Sequence, residues 1–393
     1  MLSDKDKPKI TFYLDPWLVI ASLLLIITGL LMVSSASMVV ADQQYHFAFY
    51  FLLKQSVYLC VGVIFAFLMT KIPMQFWQQC SAFLLPIALV LLALVLIPGL
   101  GHSVNGARRW LGFSFLSLQV SELAKLSMVF FMAGYIARHP NEIRTQLSGF
   151  IKPLILLAIT AILLLLEPDF GATAVITITV LGLLFLAGVR LWPFVLLFIF
   201  AAAALGLLAI SSPYRLERLT TFLNPWTNPF GSGYQLTQSL IAFGRGGLTG
   251  VGLGNSVQKL FYLPEAHTDF LFAVLAEELG FIGELFVILL FMVIVWRCFI
   301  LARKAFVAEE IFIAYVAFGL GLWLGLQAFI NIGVTAGMLP TKGLTLPFIS
   351  YGGSSLLVNC LVIGLLLRLS MEVKSYSATK SRRTKHNAYR VSR

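Results

Sequence analysis

The chain has 393 residues, of which 59% are hydrophobic and only 11% charged, with a mean hydropathy of +0.91. Soluble domains carry charge on about a quarter of their residues, so this composition excludes a water-soluble globular protein and points to a bilayer. The formal net charge of +11 is spread over chain ends and short connections, which argues against nucleic-acid binding and for segments that meet anionic lipid.

A helix rises about 1.5 Å per residue and the hydrocarbon core is about 30 Å thick, so a spanning helix needs about 20 mostly apolar residues. Ten such runs are predicted, over residues 16–38, 48–70, 80–99, 117–137, 149–166, 172–189, 191–210, 270–297, 311–336 and 346–368. The expected fold is all-α and polytopic: an N-terminal tail over 1–15, a ten-helix membrane domain over 16–370 and a basic tail over 371–393. The first run is too long for a signal-peptide core and further spans follow it, so Ser34-Ser35-Ala36 is read as part of a retained helix. Of the 28 Lys and Arg residues, 19 fall on one side of this layout, seven on the other, and Lys54 and Lys125 inside spans. Cytoplasmic loops carry the excess, so both termini are expected in the cytoplasm. The tail from Met371 to Arg393 is polar and basic and is predicted to be disordered or surface-bound. Cys60 and Cys360 fall in spans and Cys80 and Cys298 at cytoplasmic borders, a distribution that implies neither a disulfide nor a zinc site.

Ionisable side chains inside spans are costly and need a partner, a wet cavity or a task. Lys54 lies in the second span. Before the fourth, VNGARRWLGF sets Arg108 and Arg109 beside Trp110, a grouping that suits either phosphate recognition or interfacial anchoring. Within that span Glu122 and Lys125 stand at i and i+3 on one face, as a structural ion pair or as the lining of a polar cavity. LEPDFGA, with Glu167 and Asp169, reads as a turn that caps the sixth span.

Between Ile210 and Asp269 lie roughly 58 residues, predicted as one large ordered outer loop over 211–268. Loops of this length are usually functional or disordered, and NPW, NPFGSG and GRGG supply turn chemistry. Tyr234 to Phe243 has helical character, with Arg245 just beyond it. The loop ends in Pro264-Glu265-Ala266-His267-Thr268-Asp269-Phe270. There Asp269 sits where the eighth span begins, and unpaired N–H groups and the helix dipole favour its ionised form. It could cap that helix, or accept a proton from a sugar hydroxyl. Glu284, further along this span, could join the same interior. The last outer loop, GMLPTKGLTLPFISYGGSS, offers Lys342, either an anchor or a counter-charge for a leaving phosphate.

These segments, with NGARRW, SELAKL and EPDFGA, occur in the order found in the SEDS family of peptidoglycan glycosyltransferases. The resemblance extends across all ten spans and leaves only the tails weakly matched. PEAHTDF, with Ala266, is closer to the cell-division branch than to the elongation branch. The resemblance implies a bacterial inner-membrane enzyme at the division septum that polymerises lipid II and releases undecaprenyl pyrophosphate. It also implies a class B penicillin-binding transpeptidase and other division membrane proteins as partners, and Asp269 as the catalytic aspartate. Candidate substrate-binding residues are Arg109, Glu122, Lys125, Arg245, Glu265, His267 and Lys342, the cations among them facing the leaving pyrophosphate. A divalent cation could assist, although no metal-ligand cluster is legible. A lipid II flippase or a non-enzymatic scaffold would use the same charges or surfaces.

Overall fold

A computed structural model describes residues 14–104, 107–113, 116–189, 192, 194, 195, 199, 222–341 and 343–391. Eight of its helices are long and apolar enough to cross a membrane: α1 (Pro16–Tyr45), α2 (Tyr50–Lys71), α3 (Met74–Leu96), α4 (Val120–Arg138), α6 (Leu147–Leu166), α9 (Leu271–Val307), α10 (Ile311–Thr335) and α11 (Gly353–Val391). The shorter elements are α5 (Pro140–Thr145), the apolar α7 (Phe170–Leu186) and α8 (Tyr234–Gly246). Most of the span predicted over 191–210 lies outside the described residues.

Helix ends follow local chemistry. Asp15 caps α1 by accepting from Trp17 N at 3.2 Å, and Pro16 fills the first helical position, where an N–H would have no partner. The same carboxylate accepts from Arg297 Nε at 3.1 Å and also from its Nη2, which ties α1 to α9. Packing divides the bundle into two kinds of helix. Over their apolar windows α4, α10 and α11 are mostly buried, whereas α1, α2, α3, α6 and α9 bury less than half of theirs. Ile64, Phe67, Phe83 and Ile162 on those outer helices are more than half exposed, a surface tolerable only in lipid.

Three features depart from the sequence reading. Three strands form an antiparallel meander, β1 (Gly101–Val104), β2 (Ala107–Phe113) and β3 (Leu116–Gln119), with His102 opposite Trp110 and Trp110 opposite Gln119. The sheet therefore takes the first residues of the predicted fourth span, and α4 begins only at Val120. Secondly, α9 breaks at Gly280, whose φ of 65° and ψ of −167° suit glycine. There Phe281 N donates to Gly247 O at 3.0 Å and Ile282 N to Leu248 O at 3.2 Å, so the loop after α8 supplies bonds that the helix gives up. A Cβ on Gly280 would lie 2.3 Å from Gly250 N. Thirdly, α11 runs on as helix to Val391 through a tail expected to be disordered or surface-bound. Extending an existing helix avoids the nucleation cost, and Ala, Lys and Arg are good helix formers.

Candidate active site

At the sheet-bearing end of the bundle, a cavity of about 800 Å³ opens among α1, α2, β2, α4, the start of α7 and the loops entering α9 and α11. Glu122, Asp169, Glu265 and Asp269 contribute carboxylates to its lining, and Lys54, Arg109, His102 and His267 contribute basic groups. Five of the candidates named from the sequence, Arg109, Glu122, Glu265, His267 and Asp269, meet here from three separate parts of the chain.

Asp269 does not cap α9. The cap position is Phe270, and no side chain bonds to the first-turn amides. Burial works against the ionised form that the helix terminus favours. Burial pushes the Asp269 pKa up to about 7, Glu265 raises it further, Arg109 pulls it down and Asp169 raises it slightly. Desolvation outweighs the helix terminus because no amide is aimed at the carboxylate. The preceding turn is tight. Glu265 has φ 57°, its carbonyl accepts from Thr268 N at 3.1 Å and Phe270 N at 3.2 Å, and its carboxylate accepts from Thr268 Oγ1 at 2.6 Å. The His267 ring lies tilted with its centroid 4.9 Å from that of Phe51 and 5.7 Å from that of Tyr351. Burial lowers its pKa against the opposing pull of Glu265, which favours the neutral ring.

Across the cavity, Arg109 on β2 donates Nε to Glu167 O at 3.0 Å and an outer nitrogen to Pro168 O at 2.7 Å. Those bonds fix the guanidinium without neutralising it. Asp169 caps α7 as predicted, accepting from Ala172 N at 3.0 Å, and its other oxygen faces Gln119 Nε2 at 3.4 Å. Glu167 is fully buried, with neither carboxyl oxygen partnered among the described residues. Burial and then Asp169 push its pKa up to about 8 against Arg109.

Glu122 lines the cavity floor and pairs with Lys125 at 2.7 Å. Lys125 itself points away from the cavity, donating to Gln327 Oε1 at 2.7 Å and lying 5.1 Å from the Trp323 ring centroid. Sequence reasoning missed the ladder of polar residues that continues from there along α10. Trp323 Nε1 donates to Gln327 Oε1 at 2.9 Å, Gln327 Nε2 to Thr345 O at 3.0 Å, and Asn331 Nδ2 to Asp269 O at 2.9 Å and Leu344 O at 2.5 Å. Its signal was the four-residue spacing of Trp323, Gln327, Asn331 and Thr335, which sets all four on one helical face.

Three expectations fare differently. Arg245 does not reach the cavity; it pairs with the fully buried Glu277 at 3.2 Å, because the bend at Gly280 brings the loop after α8 against the first turns of α9. Glu284 is half-buried on α9 and does not line the cavity. Lys342 lies outside the described residues. Beside Glu277, Glu278 accepts from Lys259 Nζ at 2.8 Å and Ser35 Oγ at 2.7 Å, an anchor unforeseen from the sequence. Among the described residues, no three His, Cys, Asp or Glu side chains converge as a metal-binding set.

The chain resembles known proteins over nearly its whole length. It is 57% identical over 371 residues to a protein of Coxiella burnetii named probable peptidoglycan glycosyltransferase FtsW, covering 94% of this chain and 100% of that one. It is 52% identical over 374 residues to the protein of the same name from Legionella pneumophila, covering 94% and 95%. Among solved structures, a chain of a peptidoglycan synthase complex described as coordinating polymerization and crosslinking superposes with a TM-score of 0.76 at 30% identity, covering 91% of this chain and 97% of that one. The rod shape determining protein RodA of Thermus thermophilus superposes with a TM-score of 0.66 at 28% identity, covering 90% and 96%. With the family model for cell cycle proteins of the FtsW, RodA and SpoVE type matching residues 16–375, the chain belongs to that family.

Proposed function

We propose that this membrane protein is a peptidoglycan glycosyltransferase of the cell-division type, which polymerises lipid II at the outer face of the bacterial inner membrane. The observation that carries the reading is the buried Asp269 carboxyl, raised to about 7 and set in a polar cavity with Arg109 across from it. A carboxyl poised near neutral pH suits a general base, which must accept a proton and then give it up.

In this mechanism Asp269 takes the proton from the 4-hydroxyl of the acceptor GlcNAc as that oxygen bonds to C1 of the donor MurNAc. The bond from C1 to the pyrophosphate oxygen breaks on the opposite face, so the anomeric centre inverts. The electron pair leaves with undecaprenyl pyrophosphate, and Asp269 releases its proton to solvent before the next addition. Arg109 stabilises the leaving charge in this mechanism, with Lys54 a further cation in the same lining; a fixed cation costs no reorganisation when charge develops. The synthase complex among the similar structures supports a transpeptidase partner, and the relatives' names support a septal site of action.

The test uses the full chain purified with its class B penicillin-binding partner and given lipid II. Asp269→Asn keeps the shape of the side chain but cannot take the proton. Polymerisation should fall by about 10² to 10⁴ while the complex stays folded. Near-normal glycan synthesis by the folded variant would reject the reading.

A further inference from the structure

We propose that Asn331 is a positioning residue that sets the height of Asp269 against the last outer loop. This rests on Asp269 being the base. Asn331 is 2% exposed on α10, and its single amide nitrogen reaches two carbonyls, those of Asp269 at 2.9 Å and Leu344 at 2.5 Å. The two carbonyls belong to loops that are distant in sequence and touch across the cavity wall. Their approach is close: a Cβ on Gly343 would lie 2.8 Å from Asp269 Oδ2. One turn earlier on the same face, Gln327 holds Thr345 O at 3.0 Å and receives Lys125 at 2.7 Å. Residues 344 and 345 are therefore pinned at two consecutive carbonyls, and Asp269 is pinned by the same amide that holds the first of them.

The consequence is chemical as well as mechanical. Burial is the main cause of the raised Asp269 pKa, and the Leu344 segment supplies part of that cover. Without the Asn331 amide, both carbonyls lose a buried donor, the loops separate and water reaches the carboxyl. Two effects follow. The base loses its fixed distance to the acceptor hydroxyl, and its pKa falls toward the ordinary carboxylate range. Asn331 bonds main-chain carbonyls rather than the carboxyl, so it acts by holding two residues of the cavity lining, Asp269 and Leu344.

The experiment compares four full-length variants in complex with the transpeptidase partner, using lipid II and following rate against pH. Asn331→Ala should lower kcat by at least about tenfold, leave KM within about twofold and move the rising limb of the pH profile to lower pH. Asn331→Gln keeps an amide donor displaced by one methylene and should fold where Ala does not, with a smaller loss in kcat and a limb between the two. Ser239→Ala removes a different tether of α10, the 2.6 Å bond from Ser239 Oγ to Thr335 O, and should leave the limb where it was. Asp269→Asn completes the set and reports on the base itself. A wild-type limb and kcat in Asn331→Ala or Asn331→Gln would overturn the positioning role, as would an equal shift in Ser239→Ala. If Asp269→Asn is fully active, the functional reading fails instead, and the two failures are told apart.

Discussion

Glu122 and Lys125 form a 2.7 Å ion pair whose side chains are only 4% and 1% exposed. Lys125 donates to Gln327 as well, whereas Glu122 Oε2 has no hydrogen-bond partner among the described residues. Removing either member leaves a buried charge uncompensated, which typically costs about 3 to 5 kcal/mol. Glu122→Ala and Lys125→Ala should each lower the yield of folded protein sharply, and the double variant should recover part of the loss. Thermal unfolding in detergent measures the coupling; strict additivity would mean that the two side chains do not act as a pair.

Polymerisation should rise with pH on a limb centred near 7, because the base must be deprotonated and burial holds Asp269 at about 7. The same shift fixes the sign of its effect on stability. Between the ordinary value of 3.8 and about 7, the folded protein keeps a proton that the unfolded chain releases, so this group makes the fold less stable as pH rises through that window. Asp269→Asn removes the group from the balance. Its melting temperature should decline less between pH 5 and pH 8 than that of the parent protein, and parallel declines would show that Asp269 is not shifted upward.

The outer architecture was legible in the sequence because a bilayer imposes a length and a composition on each span. The site was legible where its residues were anomalous: a carboxylate or ammonium within or beside a span announces itself, and Arg109, Glu122 and Asp269 were found that way. What the sequence hid were relations that depend on contact. Asp269 looked like a cap because its position relative to α9 is visible in one dimension, whereas the approach of Gly343 to its carboxyl, from 74 positions later, is not. Arg245 looked like a ligand because nothing in the linear chain shows the bend at Gly280 that delivers it to Glu277 instead. Asn331 and Gln327 were passed over because neutral amides in an apolar helix carry no charge to explain.

The excess of Lys and Arg on one side of the layout predicts that both chain ends face the cytoplasm and that the segment around position 232 faces outward. A single cysteine placed at Ser232 in a cysteine-free background should react with a membrane-impermeant maleimide added outside intact cells. One placed at Ser377 should react only after the membrane is opened. The reverse pattern would invert the orientation and put the cavity on the wrong side of the membrane for lipid-linked acceptor strands.

Two residues of one ion pair should behave unequally, since Arg245 is 43% exposed whereas Glu277 is completely buried. The exposed guanidinium is screened by solvent, and such contacts contribute about 1 kcal/mol or less. Glu277, by contrast, accepts from Val257 N at 3.1 Å and Gln258 N at 3.3 Å and also bonds the Ser256 hydroxyl, so it organises the backbone of the loop that precedes α9. Arg245→Ala should therefore leave the melting temperature nearly unchanged and lower activity less than about threefold. Glu277→Ala deprives three donors at once, each worth about 1 to 3 kcal/mol when left buried and unpaired. It should release the segment from Gly247 to Lys259 and expose it to protease. Limited proteolysis of the two variants side by side decides the matter: equal sensitivity would show that the ion pair, rather than the carboxylate's hold on the backbone, keeps this loop in place.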